Sequence, residues 1–83
     1  MSQNSKEIIA INVRKMREAR KLTRENLSLI LGFENSYISK LEKQNMNITI
    51  DKLDKIADFF EIATIQLFKY NLQNHTLEQQ EKK

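Results

Sequence analysis

Ile9, Val13 and Met16 recur at four- and three-residue steps, which is one face of an α-helix, and they predict a first helix from about Lys6 to Ala19 with Ser5 as its N-cap. Leu22 then covers the core from a loop. Thr23 can cap a second helix that ends at Leu31, with Glu25 in its first, dipole-favoured turn. Gly32, the only glycine of the chain, permits the left-handed backbone of a sharp exit, and a third helix is expected from near Asn35 to about Lys43. A polar connection, Gln44 to Asn47, leads to Thr49 as the cap of a fourth helix, whose buried stripe is Leu53, Ile56, Ala57 and Phe60. A fifth helix is expected to start near Thr64, with Ile65, Leu67, Phe68 and Leu72 around much of its circumference. The remainder from Gln73 is polar apart from Leu77, and is either a frayed helical extension or disordered. The pattern is all-α: one compact five-helix domain over residues 1–72 and a polar tail over residues 73–83.

The segment from Thr23 to Glu42 has the spacing of two short amphipathic helices hinged on one tight turn, a helix-turn-helix. Leu27, Leu31, Phe33, Ile38 and Leu41 are the side chains that two steeply crossing helices would bury against each other. At about 100° per residue, Ile38 and Leu41 fix the inward direction of the third helix. Its opposite face is then centred on Ser36, Ser39, Lys40 and Lys43, with Asn35 at the leading end. A narrow polar surface of this kind is what the major groove of DNA accepts.

Charge adds to that picture. The net charge is only +3, but Arg14, Lys15, Arg17, Arg20, Lys21 and Arg24 crowd one stretch against Glu18 alone, while Asp51, Asp54, Asp58 and Glu61 outnumber Lys52 and Lys55 in another. A basic side suits phosphates; a charge run by itself is more often a solvated helix face, and the adjoining helix-turn-helix reverses that balance. The absence of cysteine excludes disulfides and thiolate chemistry, and His75 stands alone in the polar tail, so neither a metal site nor a cofactor is expected. Ile8, Ile9, Ile11 and Val13 are soon followed by charges, too short an apolar run for a membrane span, and a cytoplasmic protein is expected. The 83 residues can build one small core with few reserves, and Phe59, Ile62, Ile65 and Tyr70 add apolar surface that such a core cannot cover. A homodimer joined through the fifth helix and these four residues is the expectation.

Residues 9 to 68 resemble the lambda-repressor and Cro-like (XRE-type) helix-turn-helix regulators. The matching stretches are VRKMREARKLT from Val13 to Thr23, the paired helices with YISKLE from Tyr37 to Glu42, and KLDKIADFFEIATIQLF ending at Phe68. Five helices is that family's fold. The NITI string from Asn47 to Ile50 and the short chain look most like the controller proteins of restriction-modification systems, homodimers that regulate their own gene and the endonuclease gene. The resemblance implies a regulator that binds a pseudo-palindromic double-stranded DNA operator, with a contact to RNA polymerase compatible with that role and no small-molecule ligand. In the family's docking mode the leading part of the third helix touches base edges. Asn35, Ser36, Tyr37, Ser39 and Lys40 are therefore the candidates for base readout, with core packing as the competing role for Tyr37. Thr23, Arg24, Lys43, Gln44, Asn45 and Asn47 are the expected phosphate contacts, which position a protein without reading sequence. Arg17 and Glu42 match an internal ion pair of the family.

The departures from the pattern are local. Arg24 stands where Gln is usual, Glu34 where Ser, Thr or Asp caps the third helix, Gln44 and Glu61 where glycine often ends a helix, and Ser28 where a small alanine is usual at the helix crossing. Two readings from other classes stay beside the regulator. The same fold can serve as an antitoxin or other protein-binding module with secondary DNA autoregulation. An enzyme is the other, but no set of acid, base, nucleophile or metal ligands can be assembled from this sequence.

Overall fold

The computed structural model describes residues 4–69, so Tyr70, Leu72, His75 and the tail 73–83 lie outside the described residues. Within that span the chain is all-helical, with α1 (Ser5–Ala19), α2 (Arg24–Ile30), α3 (Tyr37–Glu42), α4 (Ile50–Phe60) and a 3-10 helix (Thr64–Phe68). None of these helices is long and apolar enough to cross a membrane.

Three of the four α-helices start on a side-chain cap. Asn4 Oδ1 accepts from Glu7 N–H at 2.9 Å, Thr23 Oγ1 from Asn26 N–H at 3.0 Å and Thr49 Oγ1 from Lys52 N–H at 3.2 Å, each with an extended cap backbone. The first cap is Asn4 rather than Ser5, which shifts α1 by one residue; both residue types accept such a bond, and spacing alone does not choose between neighbours. α3 begins at Tyr37, two residues later than expected, because Tyr37 N–H is drawn into a tight turn onto the Glu34 carbonyl at 3.0 Å. Asn35 and Ser36 thus lie on the turn that leads into α3 and not within it.

All four α-helices end on the same device. A left-handed residue closes each one: Lys21 (φ 60°), Gly32 (φ 79°), Gln44 (φ 63°) and Glu61 (φ 62°). In each case the next amide reaches back five residues, as in Leu22 N–H to Arg17 O at 3.1 Å, Phe33 to Ser28 at 2.9 Å, Asn45 to Lys40 at 3.0 Å and Ile62 to Ala57 at 3.0 Å. This is the Schellman arrangement, and it satisfies carbonyls that a helix end otherwise leaves open. Only one of the four positions carries glycine, so three side chains sit in a conformation that costs each of them about 1–2 kcal/mol. The residue after the turn repays part of this by packing inward, since Leu22, Phe33 and Ile62 all lie against the core. After α3 that position is Asn45, exposed, and the chain leaves the core there.

The core joins Ile9, Ala10 and Val13 of α1, Leu27 and Leu31 of α2, Ile38 and Leu41 of α3, Leu53, Ile56, Ala57 and Phe60 of α4, and Leu67. The fifth element is a single 3-10 helix in place of a full α-helix. Side-chain bonds hold it at both ends: Asn12 Nδ2 donates to the carbonyls of Leu67 and Lys69, both at 2.9 Å, and Ala63 N–H donates to Gln66 Oε1 at 3.1 Å. Asn12 therefore ties this segment to α1.

Candidate nucleic-acid interface

The surface in question is built on α2, the turn after it, and α3. Leu27 of α2 and Ile38 and Leu41 of α3 are buried against each other, which leaves the other side of α3 outward. Asn35, Lys40 and Lys43 are exposed there, with Ser36 and Ser39 partly so. Among the described residues neither Lys40 nor Lys43 is ion-paired. Thr23, Arg24, Gln44, Asn45 and Asn47 are also exposed, on the first turn of α2 and in the connection that follows α3.

Tyr37 departs from the rest. Expected among the base readers, it is only 7% exposed and belongs to the core. Its ring centroid lies 4.6 Å from that of Phe33, and Lys52 Nζ sits 5.1 Å from the ring. Tyr37 and Leu41 are four residues apart, about one helical turn, and both lie on the inner side of α3. The hydroxyl is buried and has no hydrogen-bond partner among the described residues, and burial raises its pKa above the usual 10.0.

Three guanidinium contacts on one carboxylate hold the frame. Arg17 Nε donates to Glu42 Oε2 at 2.7 Å and Arg17 Nη2 to Oε1 at 3.2 Å, while Arg24 Nε donates to Oε1 at 2.9 Å. A further bond from Arg17 Nη1 to the Leu22 carbonyl at 2.7 Å ties in the α1–α2 loop. The side chains of Arg17 and Glu42 are 8% and 4% exposed, whereas Arg24 is 51% exposed. The bidentate fork fixes the orientation of α1, α2 and α3 together, as planar guanidinium–carboxylate geometry does. Arg24, expected only as a phosphate contact, thus has a second role: its Nε belongs to the frame, and the outer part of its guanidinium faces solvent.

Ser28 is a residue whose role the sequence did not disclose. Its hydroxyl, fully buried, donates to the Arg24 carbonyl at 2.9 Å and accepts from Ile38 N–H at 3.0 Å, so it bridges α2 and α3. The departure from alanine was visible, but its long-range partner was not. A shallow cleft between α1 and the end of α3 is lined by Arg14, Lys15, Glu18, Glu42 and Gln44. Its carboxylates are engaged, Glu18 by Arg14 at 3.3 Å and Glu42 by the pair of arginines, which leaves no acid or base poised there.

Of the four residues expected at a dimer contact, Ile65 is 66% exposed, while Phe59 and Ile62 are partly buried. Arg20 covers Phe59, with its guanidinium carbon 4.9 Å from the ring centroid, and stacks equally on Phe60 at 5.0 Å. Leu29, Ile30 and Ile50 are further exposed apolar side chains that periodicity did not single out.

Two solved structures share this architecture. A hypothetical transcription factor from Neisseria superposes with a TM-score of 0.81 at 25% identity, covering 90% of this chain and 86% of that one. The restriction-modification controller protein C.AhdI from Aeromonas hydrophila superposes with a TM-score of 0.69 at 25% identity, covering 77% and 93%. Among curated relatives, control protein C.SmaI of Serratia marcescens is 40% identical over 52 residues, which is 63% of this chain and 62% of that protein. A Neisseria meningitidis hypothetical transcription factor is 28% identical over 65 residues, 78% of this chain and 61% of that protein. The chain therefore spans less than two thirds of the length of these curated relatives. Residues 13–67 match the Helix-turn-helix family model, and the chain belongs to that family.

Proposed function

We propose that the protein is a sequence-specific DNA-binding transcriptional regulator of the controller type, which binds a pseudo-palindromic operator as a homodimer and governs restriction-modification genes including its own. The observation that carries this reading is the outward face of α3: uncommitted polar side chains on a helix whose inner side is fixed by the Arg17–Glu42–Arg24 frame. A rigid helix with a narrow polar face can hold side chains in register with base edges, and a mobile one cannot.

In this reading α2 and α3 are the DNA-docking pair. Asn35, Ser36, Ser39 and Lys40 read bases, Asn suiting adenine and Lys suiting guanine O6 or N7. Thr23, Arg24, Lys43, Gln44, Asn45 and Asn47 hold phosphates. Residues 1–72 act as one unit that includes the dimerising segment around Ile65. Similarity to C.SmaI and C.AhdI supports the controller assignment. Twofold symmetry requires half-site centres about 34–36 Å apart, one turn of B-DNA. Few side chains reach bases, so uncontacted central base pairs contribute through their ease of deformation.

A protein-binding module is the second reading, and the adjacent Leu29 and Ile30, 57% and 54% exposed on α2, favour it. Footprinting on the DNA upstream of the protein's own gene separates the two. Protection of two symmetry-related half-sites is the expected result. No protection at concentrations where the chain is dimeric, or a protected region without twofold symmetry, overturns the regulator reading.

A further inference from the structure

α1, α2 and α4 each take their first-turn hydrogen bond from the residue that precedes them, with that residue extended: Asn4 (ψ 170°), Thr23 (ψ 163°) and Thr49 (ψ 155°). α3 does not. Ser36 stands at its cap position and has the residue type for the task, but its backbone is at φ −97°, ψ 3° and its side chain makes no capping bond. One of the two amides that a serine cap can take, Ile38 N–H two residues on, instead reaches Ser28 Oγ at 3.0 Å. Ser28 has no freedom in this. It is fully buried, and its own proton is spent on the Arg24 carbonyl at 2.9 Å, which turns a lone pair toward Ile38.

We propose that Ser28 is a positioning residue for DNA recognition: it caps α3 from across the turn, and by doing so it releases Ser36 and holds Asn35 and Ser36 in the conformation that faces the groove. With alanine at position 28 the buried Ile38 amide loses its acceptor. The replacement that the capping position offers is the Ser36 hydroxyl, and to cap the first turn Ser36 must adopt the extended backbone of the other three caps. That movement turns residues 35 and 36 away from the outward face of α3. The two serines therefore exchange one task between them, and only one distribution leaves a hydroxyl for a base edge. The functional half of this inference rests on the regulator reading above.

The test compares the full chain with Ser28→Ala, and with Ser28→Cys as a smaller perturbation that keeps a weak acceptor. Binding to an operator duplex and to random duplex is measured by fluorescence anisotropy at a temperature where circular dichroism shows each protein folded. Ser28→Ala should lose about tenfold in operator affinity with little change on random DNA, and Ser28→Cys should fall between. Ser36→Ala should weaken operator binding in the parent but not in the Ser28→Ala background, a non-additivity that general loosening of the fold would not produce. Amide hydrogen exchange without DNA should show Ile38 exchanging about tenfold faster in Ser28→Ala, relative to core amides of α4. An unchanged operator-to-random ratio in the folded variants overturns the recognition role, and unchanged Ile38 exchange overturns the cap. If the parent preferred no duplex over random DNA, the regulator reading and the recognition role would fall together, and the exchange measurement would still decide the cap.

Discussion

Replacing Glu42 with glutamine removes one negative charge from beneath three guanidinium contacts while keeping the side chain's volume. The carboxylate is 4% exposed and Arg17 beside it 8%, so the variant leaves a buried cation held by the Leu22 carbonyl and one amide oxygen, with only the half-exposed Glu18 carboxylate nearby at 3.8 Å. Removing one partner of a buried, hydrogen-bonded ion pair costs about 3–5 kcal/mol, and the retained amide oxygen places Glu42→Gln near the lower end. A domain of this size has a total stability of roughly 4–12 kcal/mol, so the loss is a large part of it. With a urea m-value of about 1 kcal/mol/M for so short a chain, the denaturation midpoint followed by circular dichroism should fall by about 3 M at constant m. Arg24→Ala, on the half-exposed side of the same carboxylate, should cost less than about 1 kcal/mol. The paired change Arg17→Met with Glu42→Leu should recover most of the lost stability, because it removes the desolvated charges together. A loss under about 1 kcal/mol for Glu42→Gln would show that the fork does not hold the three helices.

Tyr37→Phe removes a buried hydroxyl that has no partner among the described residues, so stability at neutral pH should rise by about 1 kcal/mol, and a comparable loss would reveal a partner for it. The folded-state pKa of Tyr37 is raised above that of the unfolded chain, so the fold binds the proton more tightly; stability should hold below pH 10 and decline above it, and Tyr37→Phe should show less of that decline in urea titrations from pH 8 to 11. Glu61→Gly relieves a left-handed side chain at φ 62° and should gain about 0.5–1 kcal/mol net, read as a rise in Tm of about 3–6 °C; a fall would mean that the conformation carries no strain. If the chain is the proposed dimer, Ile65→Asp should convert it to a 9.9 kDa monomer in analytical ultracentrifugation at micromolar concentration, and a parent chain that is monomeric there would remove the dimer from the account.

The elements that follow from local chemistry were legible in the chain. Thr23 and Thr49 cap helices by residue type, Gly32 marks its turn, and the Leu53–Ile56–Ala57–Phe60 stripe lies on the buried side of α4. Part of what escaped depends on partners distant in sequence. Asn12 reaches carbonyls more than fifty residues away and helps to shape the last element as a 3-10 helix, and no periodicity encodes that. Ser28 reads as a tolerated alanine substitute until Ile38 is seen beside it. The late start of α3 follows from the Glu34–Tyr37 turn, which a polar stretch permits but does not announce. Lys21, Gln44 and Glu61 adopt the left-handed conformation because the Schellman bonds, joined at Lys21 and Glu61 by an inward-packing neighbour, outweigh a modest strain, so the absence of glycine was a weak guide to where helices end. For the candidate surface, angle sorted α3 into two sides, but Tyr37, expected among the base readers with core packing as its competing role, lies in the core.

The central claim is that the exposed face of α3 reads bases, and Lys40→Ala tests it most directly, with Arg24→Ala as its control. Affinity for the operator and for random duplex is measured across a salt series. Lys40→Ala should weaken operator binding by about 1–3 kcal/mol and leave random DNA nearly unchanged, while Arg24→Ala should weaken both alike and lower the salt slope by about one unit per half-site. Equal weakening of operator and random DNA by Lys40→Ala would place Lys40 among the phosphate contacts and contradict base readout by this face.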